Sequence, residues 1–356
     1  MSRRAYHRKV VPLIVAGSMS FAIALLLTPV LVRFLRERGI GQPIHDDVRH
    51  HSLKAGTPTI GGLVAPIALV TAFPAALLVS GHVPSPLVVA GVAAVVAMGG
   101  VGLIDDGMKV FRERNLGLRE RQKTVLQTLV SLGYALTVTG THGSCRQLAF
   151  TDCQHPLLHV PSWLYVLLVM AIFWGGANAV NFTDGIEGLL AGAATVTFLV
   201  LAGIGFWVFR HPGIYRIPDA LDFAILAACL AGSMCGLLWW NVSPRTIFMG
   251  DTGSLALGAG LVVVCSGLGI TLLVPVIGAL YVGVGASSFL QRVWFKWTRR
   301  RGTPRRLFRM APIHHHFELV GWSESTIVVR FWIVNAIAAG IAVLLFYADA
   351  LRQLHA

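Results

Sequence analysis

Charge is what this chain has least of. Only 13% of its 356 residues are Asp, Glu, Lys or Arg, against about 25% in a soluble domain. That shortfall excludes an ordinary soluble globule and fits a surface facing lipid, where charge is costly. Acids are the scarcer sign, 16 against 29 basic residues. In a soluble protein the net charge of +13 would raise nucleic acid as a partner. Here most basic residues flank apolar runs, as membrane topology demands, so no nucleic-acid partner is expected. Alternating polar and apolar residues are missing too, which excludes a β-barrel. The usual zinc-ligand spacings are absent.

Apolar residues make up 55% of the chain, and Gly is frequent at 38. Transmembrane helices tolerate Gly because it lets backbones approach closely. Ten apolar spans of roughly 17–25 residues are expected near 11–34, 58–80, 86–104, 122–141, 161–177, 188–208, 221–240, 252–270, 272–294 and 326–348. A tight Gly267–Leu268–Gly269 turn separates the eighth and ninth. The basic N-terminus mimics a signal peptide, but the run from Val11 to Val32 is long enough to span and ends in Arg33, Arg36 and Arg38 rather than small residues. It reads as a retained helix. The expected fold is therefore an all-α polytopic membrane protein.

Loop charge sets the orientation. If the loops after spans 1, 3, 5, 7 and 9 are cytoplasmic, that side carries 20 Lys and Arg and the other carries 8. Both termini are then expected outside, in the periplasm. Cys145 and Cys153 fall eight positions apart in the longest outside loop, where an oxidising compartment permits a disulfide. Cys229, Cys235 and Cys265 lie in spans as small packing residues.

The unusual polar residues gather in the five inside loops. The first ends in Lys54-Ala55-Gly56-Thr57-Pro58, followed by Gly61-Gly62; Lys54 suits a phosphate or a carbonyl. The second brings Asp105-Asp106 to the end of an apolar span. Carboxylates are disfavoured at a helix C-terminus, so either Lys109, Arg112 and Arg114 compensate them or they share a cation or acid/base work. In the third, Asn178, Asn181, Asp184 and Glu187 recur every three residues, a broad stripe on a helix. Their oxygens suit Mg²⁺ and nucleoside edges. In the fourth, Asp251 is either the N-cap of span 8 or a hard-cation ligand. Phe248 is either an interfacial ring or a platform for a base. The fifth carries His314-His315-His316 behind six arginines between Arg299 and Arg309, which fits phosphate recognition or, for the arginines, a positive-inside anchor.

Loops two to five resemble the polyprenyl-phosphate N-acetylhexosamine-1-phosphate transferase superfamily. The stretch Phe308-Arg309-Met310-Ala311-Pro312-Ile313-His314-His315-His316-Phe317-Glu318, with Gly321-Trp322, resembles its bacterial peptidoglycan branch. The resemblance covers nearly the whole chain. It implies one integral membrane transferase domain over residues 1–356, in the bacterial inner membrane, with its site facing the cytoplasm. It implies transfer of phospho-MurNAc-pentapeptide from UDP-MurNAc-pentapeptide to undecaprenyl phosphate, giving lipid I and UMP with Mg²⁺ required; a homodimer is compatible with it.

The same resemblance implies catalytic roles for Asp105, Asp106, Asp184, Asp251 and His314. Asp251 and Asn181 would bind Mg²⁺. Asp105 would deprotonate or orient the lipid phosphate. Phe248 would stack on uracil, with Lys54, Asn241 and Glu187 near the nucleoside. Asn178, Gln291, His315 and His316 would complete the substrate contacts. The chain departs from the family pattern at Gly107 after the paired acids, at Glu187 in place of Asp, and at Gly283-Val284-Gly285, where a Glu is usual. A secondary transporter fits less well. Its polar groups would sit near the midplane, often in inverted repeats, whereas these acids cluster at one face.

Overall fold

The computed structural model describes residues 3–39, 41, 57–111, 117–141, 148–151, 160–242 and 246–355. Lys54 and the Cys145 and Cys153 pair lie outside the described residues. The architecture is all-α: α1 (Arg3–Glu37), α2 (Val64–Ser80), α3 (Pro86–Phe111), α4 (Glu120–Thr141), α5 (Ser162–Thr183), α6 (Leu189–Arg210), α7 (Pro212–Tyr215), α8 (Ala220–Asn241), α9 (Gly250–Gly267), α10 (Val274–Ile277), α11 (Ala279–Arg300), α12 (Ile313–Val320) and α13 (Glu324–His355).

Among the described residues, eight of these helices are long and apolar enough to cross a membrane. The bent pair 271–277 and Ala279–Arg300, which turns through 79°, makes a ninth. Ten were expected, and α4 is the difference. It is 22 residues long but carries Glu120, Arg121, Lys123 and five threonines. Every one of those threonine hydroxyls donates to the carbonyl four residues earlier, at 2.7–2.9 Å. Hydroxyls satisfied within their own helix do not need water. Thus α4 lacks the apolarity of its neighbours without presenting unpaired hydroxyls to lipid.

Two helices form the centre. Of their most apolar windows, 83% of α8 and 89% of α9 lie buried. One packs with α1, α2 and α6, the other with α3 and α5. Small residues set the spacing around α9. A Cβ on Gly258 would lie 2.4 Å from the Cα of Ala177 in α5. A Cβ on Gly102 would lie 2.2 Å from the carbonyl oxygen of Asp251. Only glycine allows such close approach, as in small-residue helix contacts within membranes. These contacts draw the last turns of α3 and α5 onto the first turn of α9, and the acidic loops meet there.

Candidate active site

Three carboxylates from distant parts of the chain converge at that junction. Oxygens of Asp105, Asp106 and Asp251 lie within 4.8 Å of one another. Asp105 and Asp106 are buried, and Asp251 is half-buried. So much negative charge needs compensation, and two lysines supply it. The Lys109 ammonium stands 2.7 Å from Asp105, 3.0 Å from Asp251 and 3.6 Å from Asp106. Lys123, from α4, stands 2.6 Å from Asp251 and 3.6 Å from Asp105.

The three acids do different work. Asp106 accepts the Asp251 and Thr252 amides at 3.2 and 2.9 Å and the Thr252 hydroxyl at 2.8 Å. It thus caps α9 from another helix, satisfying amides that no side chain of the N-cap residue Met249 reaches. Of the two readings of Asp251, the helix cap is ruled out: its carboxylate points at the two lysines and accepts the Asn181 amide at 2.7 Å. Asp105 accepts the Leu118 amide at 2.9 Å, which fixes the chain entering α4.

Asp184 follows α5 directly and accepts a hydrogen bond from the Gly250 amide. Burial and the Asp251 and Asp106 carboxylates push its pKa up to about 8. His314 lies against the same loop. A Cβ on Gly185 would fall 2.1 Å from its Nε2. Both ring nitrogens of His314 lack a partner among the described residues. Burial first, and neighbouring His315 second, lower its pKa to about 3, so the ring is neutral.

The remaining expected residues divide. Asn241 is buried and ties two loops together, accepting the Gly188 amide at 2.9 Å and donating to the Ile247 carbonyl at 2.9 Å. Glu187 is buried beside it in the chain leading to α6. Phe248 is half-buried, its backbone paired with Pro58 and Gly61 at 2.8 Å each. Gln291 clamps the following loop, accepting the Leu307 and Phe308 amides at 2.9 Å each and donating to the Phe308 carbonyl at 3.0 Å. His315 pairs with Glu318, and His316 accepts the Arg309 amide at 3.2 Å. Asn178 turns away from the carboxylates and donates to Gln127 at 2.9 Å.

Two cavities share Phe182, and one of them reaches the cluster at Lys123. One, of about 860 Å³, runs between α4, α5 and α11; Trp174, Phe182, Val282 and Phe289 wall it, and Lys123 and Asn178 stand among its lining. The other, of about 970 Å³, lies between α11 and the loop before α12. Arg292, Arg306 and Arg309 line it with Gln291 and Phe182.

The donor set suits a hard divalent cation: three carboxylates in reach of one point, and the Lys109 ammonium already touching all three. Asn181 is less ready. Its amide nitrogen donates to Asp251 and Ser254, so its oxygen faces away from the cluster. The amide must turn before Asn181 can ligate a metal.

The lysines were under-read in the sequence. Lys109 was legible, one turn after the paired acids on the same helix. Lys123 was not, because nothing in its own segment says that α4 leans on α9.

Comparison with known proteins decides the family. The Glycosyl transferase family 4 model matches residues 88–268. A phospho-N-acetylmuramoyl-pentapeptide transferase of Mycobacteroides abscessus is 40% identical, covering 96% of this chain and 99% of its own. Those of Corynebacterium kroppenstedtii and Mycobacterium tuberculosis are also 40% identical, covering 95% and 97% of this chain and 98% and 99% of theirs. The chain belongs to the phospho-N-acetylmuramoyl-pentapeptide transferase family. As a member of that family it is a membrane-embedded transferase, which disposes of the transporter reading. The family model also spans both halves of the carboxylate cluster, from Asp105 to Asp251.

Proposed function

We infer that this transferase moves phospho-MurNAc-pentapeptide from UDP-MurNAc-pentapeptide to undecaprenyl phosphate, giving lipid I and UMP. The observation that carries this reading is Lys123. It contacts Asp251 and Asp105 in the carboxylate cluster and also lines the apolar groove between α4, α5 and α11. A lipid phosphate needs such an address, with apolar walls for its chain and a cation at the head of the groove. The acceptor phosphate oxygen attacks the phosphorus nearer the sugar; the new P–O bond forms as the pyrophosphate bridge breaks and UMP departs.

Mg²⁺ held by Asp251 and its neighbouring carboxylates would supply charge neutralisation on the pyrophosphate. The chain's own residues supply position. Lys109 and Lys123 draw the two phosphate groups together, which favours direct attack over a covalent intermediate. Asp105 orients the acceptor phosphate and takes any proton it carries. Asp106 holds the first turn of α9, and with it Asp251. Asp184, beside the α9 amides, keeps its proton at neutral pH, because burial and the neighbouring carboxylates raise its pKa. Phe248 offers a ring face to uracil, with Lys54 and Glu187 close to the nucleoside. Neutral His314 is free to bond a sugar or phosphate oxygen brought against Gly185, with His315 and His316 extending that contact.

The site faces the cytoplasm of a bacterial inner membrane, and both termini lie on the opposite side. Residues 1–356 act as one transferase unit, alone or as a homodimer. UMP release tests the reaction. The purified chain should release UMP from UDP-MurNAc-pentapeptide only when undecaprenyl phosphate and Mg²⁺ are both present. Equal or better release from UDP-GlcNAc would instead place the chain with the GlcNAc-1-phosphate transferases.

A further inference from the structure

Helix α11 begins inside the protein and ends at the rim of the two cavities. Tyr281, Val284, Ser287 and Ser288 are buried, yet residues 292–297 are all exposed, on every side of the helix. Trp294, Phe295 and Trp297 belong to this projecting stretch. Aromatic rings exposed all round a helix need an apolar or interfacial medium, and Trp in particular collects at the headgroup level. Lys296 lines the same groove as Lys123, which touches Asp251 and Asp105, so the helix end lies on the face that carries the carboxylate cluster.

Charge then becomes one-sided. Residues 292–309 hold eight Lys and Arg and no Asp or Glu. Among the described residues no ion pair involves Lys296, Arg299 or Arg300. A recess of about 340 Å³ is lined by Phe295, Lys296, Arg299 and Arg300. Beside it, the Arg301 guanidinium lies 3.8 Å from the centre of the Trp297 ring, stacked upon it. An exposed indole thus stands against a guanidinium, next to the recess that Lys296, Arg299 and Arg300 line.

We propose that this recess is a headgroup site for an anionic phospholipid of the leaflet on the active-site face. The occupant must present an anion next to an apolar body, at the depth where the tryptophans end and the arginines begin. A phospholipid has that shape. A second copy of this chain would bring its own uncompensated arginines against these, and a nucleic acid would leave the aromatic rings without apolar cover. The recess lies at the outer end of both cavities: Phe295 also borders the one beside α12 and Lys296 the groove between α4, α5 and α11, whereas Arg299 and Arg300 line the recess alone.

The test uses the whole protein in phosphatidylcholine nanodiscs, with dibrominated lipid quenching tryptophan fluorescence. The part due to Trp294 and Trp297 is isolated by difference from Trp294→Phe/Trp297→Phe. Dibrominated phosphatidylglycerol should quench it at much lower mole fraction than dibrominated phosphatidylcholine. A Lys or Arg near an anionic surface contributes about fivefold in affinity. Arg299→Gln/Arg300→Gln should therefore lower the preference about twentyfold, while Arg299→Lys/Arg300→Lys retains most of it. Both positions are exposed at a helix end, so the fold should survive. Equal quenching by the two lipids overturns the proposal, as does a preference that persists in the Gln variant. Loss of the preference to inorganic phosphate at constant ionic strength would assign the recess to a soluble anion. Concentration-dependent shielding of Trp297 in phosphatidylcholine alone would mark a protein contact. Either result also overturns the lipid assignment.

Discussion

Replacing Asp106 by Ala should destabilise the metal-free protein, although Asp106 belongs to a group of acids that looks purely catalytic. Its carboxylate receives two amides and one hydroxyl from the first turn of α9. Losing an N-capping side chain costs about 0.5–2 kcal/mol. A hydrogen bond to a charged acceptor contributes about 1.5–3 kcal/mol, and buried amides left unpaired add to the loss. These terms overlap, because they describe the same bonds, so a net loss of about 2–3 kcal/mol is the consistent figure. In a chain of 356 residues that lowers the apparent melting temperature by about 3–4 °C. Removing one negative charge from a group of three offsets part of this, and Asp106→Asn, which keeps an acceptor oxygen, should fall about halfway. The assay is thermal unfolding in detergent with chelator present. Asp251→Asn provides the control, since its carboxylate caps nothing. If Asp106→Ala melts with the wild type, or if Asp251→Asn falls as far, the division of labour drawn here is wrong.

Asp251→Asn should retain the fold and lose turnover by about three decades, in line with the several kcal/mol that a catalytic cation supplies; persistent activity with unchanged Mg²⁺ dependence would remove Asp251 from the metal. Phe248→Ala should weaken UDP-MurNAc-pentapeptide binding by about one to two decades, the loss of about 1–3 kcal/mol of stacking, whereas Asp105→Asn should leave that binding near normal and collapse turnover. Calorimetric titration beside steady-state rates separates the two, and the reverse pattern would refute the assignment. Asp184 holds its proton to about pH 8 in the folded protein and to about pH 4 when unfolded. The metal-free protein should thus be most stable below pH 4 on this account and lose that contribution as pH rises through 8. Asp184→Asn should flatten the slope between about pH 5 and 8 in melting experiments. A cysteine placed at exposed Thr303 should react with an impermeant reagent only after the membrane is opened; labelling in intact cells would invert the topology.

What the sequence made legible was the location of polar chemistry, and what it hid was direction. Continuous apolar runs announced the helices because a bilayer demands about 20 such residues. The runs of α4 were blurred by threonines, whose hydroxyls are satisfied only once the helix has formed. The paired acids, the Asn181–Asp184 stripe and Asp251 stood out as polar groups at span ends, and all of them meet. Asn178 shares the three-residue spacing of that stripe, but a helix turns about 60° per such step, and it ends up facing α4 instead. Asn241 and Gln291 were expected near the substrate only through the family resemblance, and nothing in their own segments announced a structural bond. In the fold they serve backbone groups of neighbouring loops, a need that exists only where the loops are packed together. Asp106 illustrates the same limit: the amides it caps are 145 residues away.

That separation also bears on how the protein is made. When α3 enters the bilayer, the residues that will receive Asp106 have not been synthesised. A single Asp near the centre of a span costs about 2.5–3.5 kcal/mol to insert, and this span must wait with two. Their place at its end eases that, and so does Lys109, one turn further along the same helix and bound to Asp105 at 2.7 Å. Lys109 can thus act first as a chaperone in cis, carrying a nascent helix through insertion with its charges matched. It then meets Asp251 only when α9 arrives from the ribosome, 142 residues later.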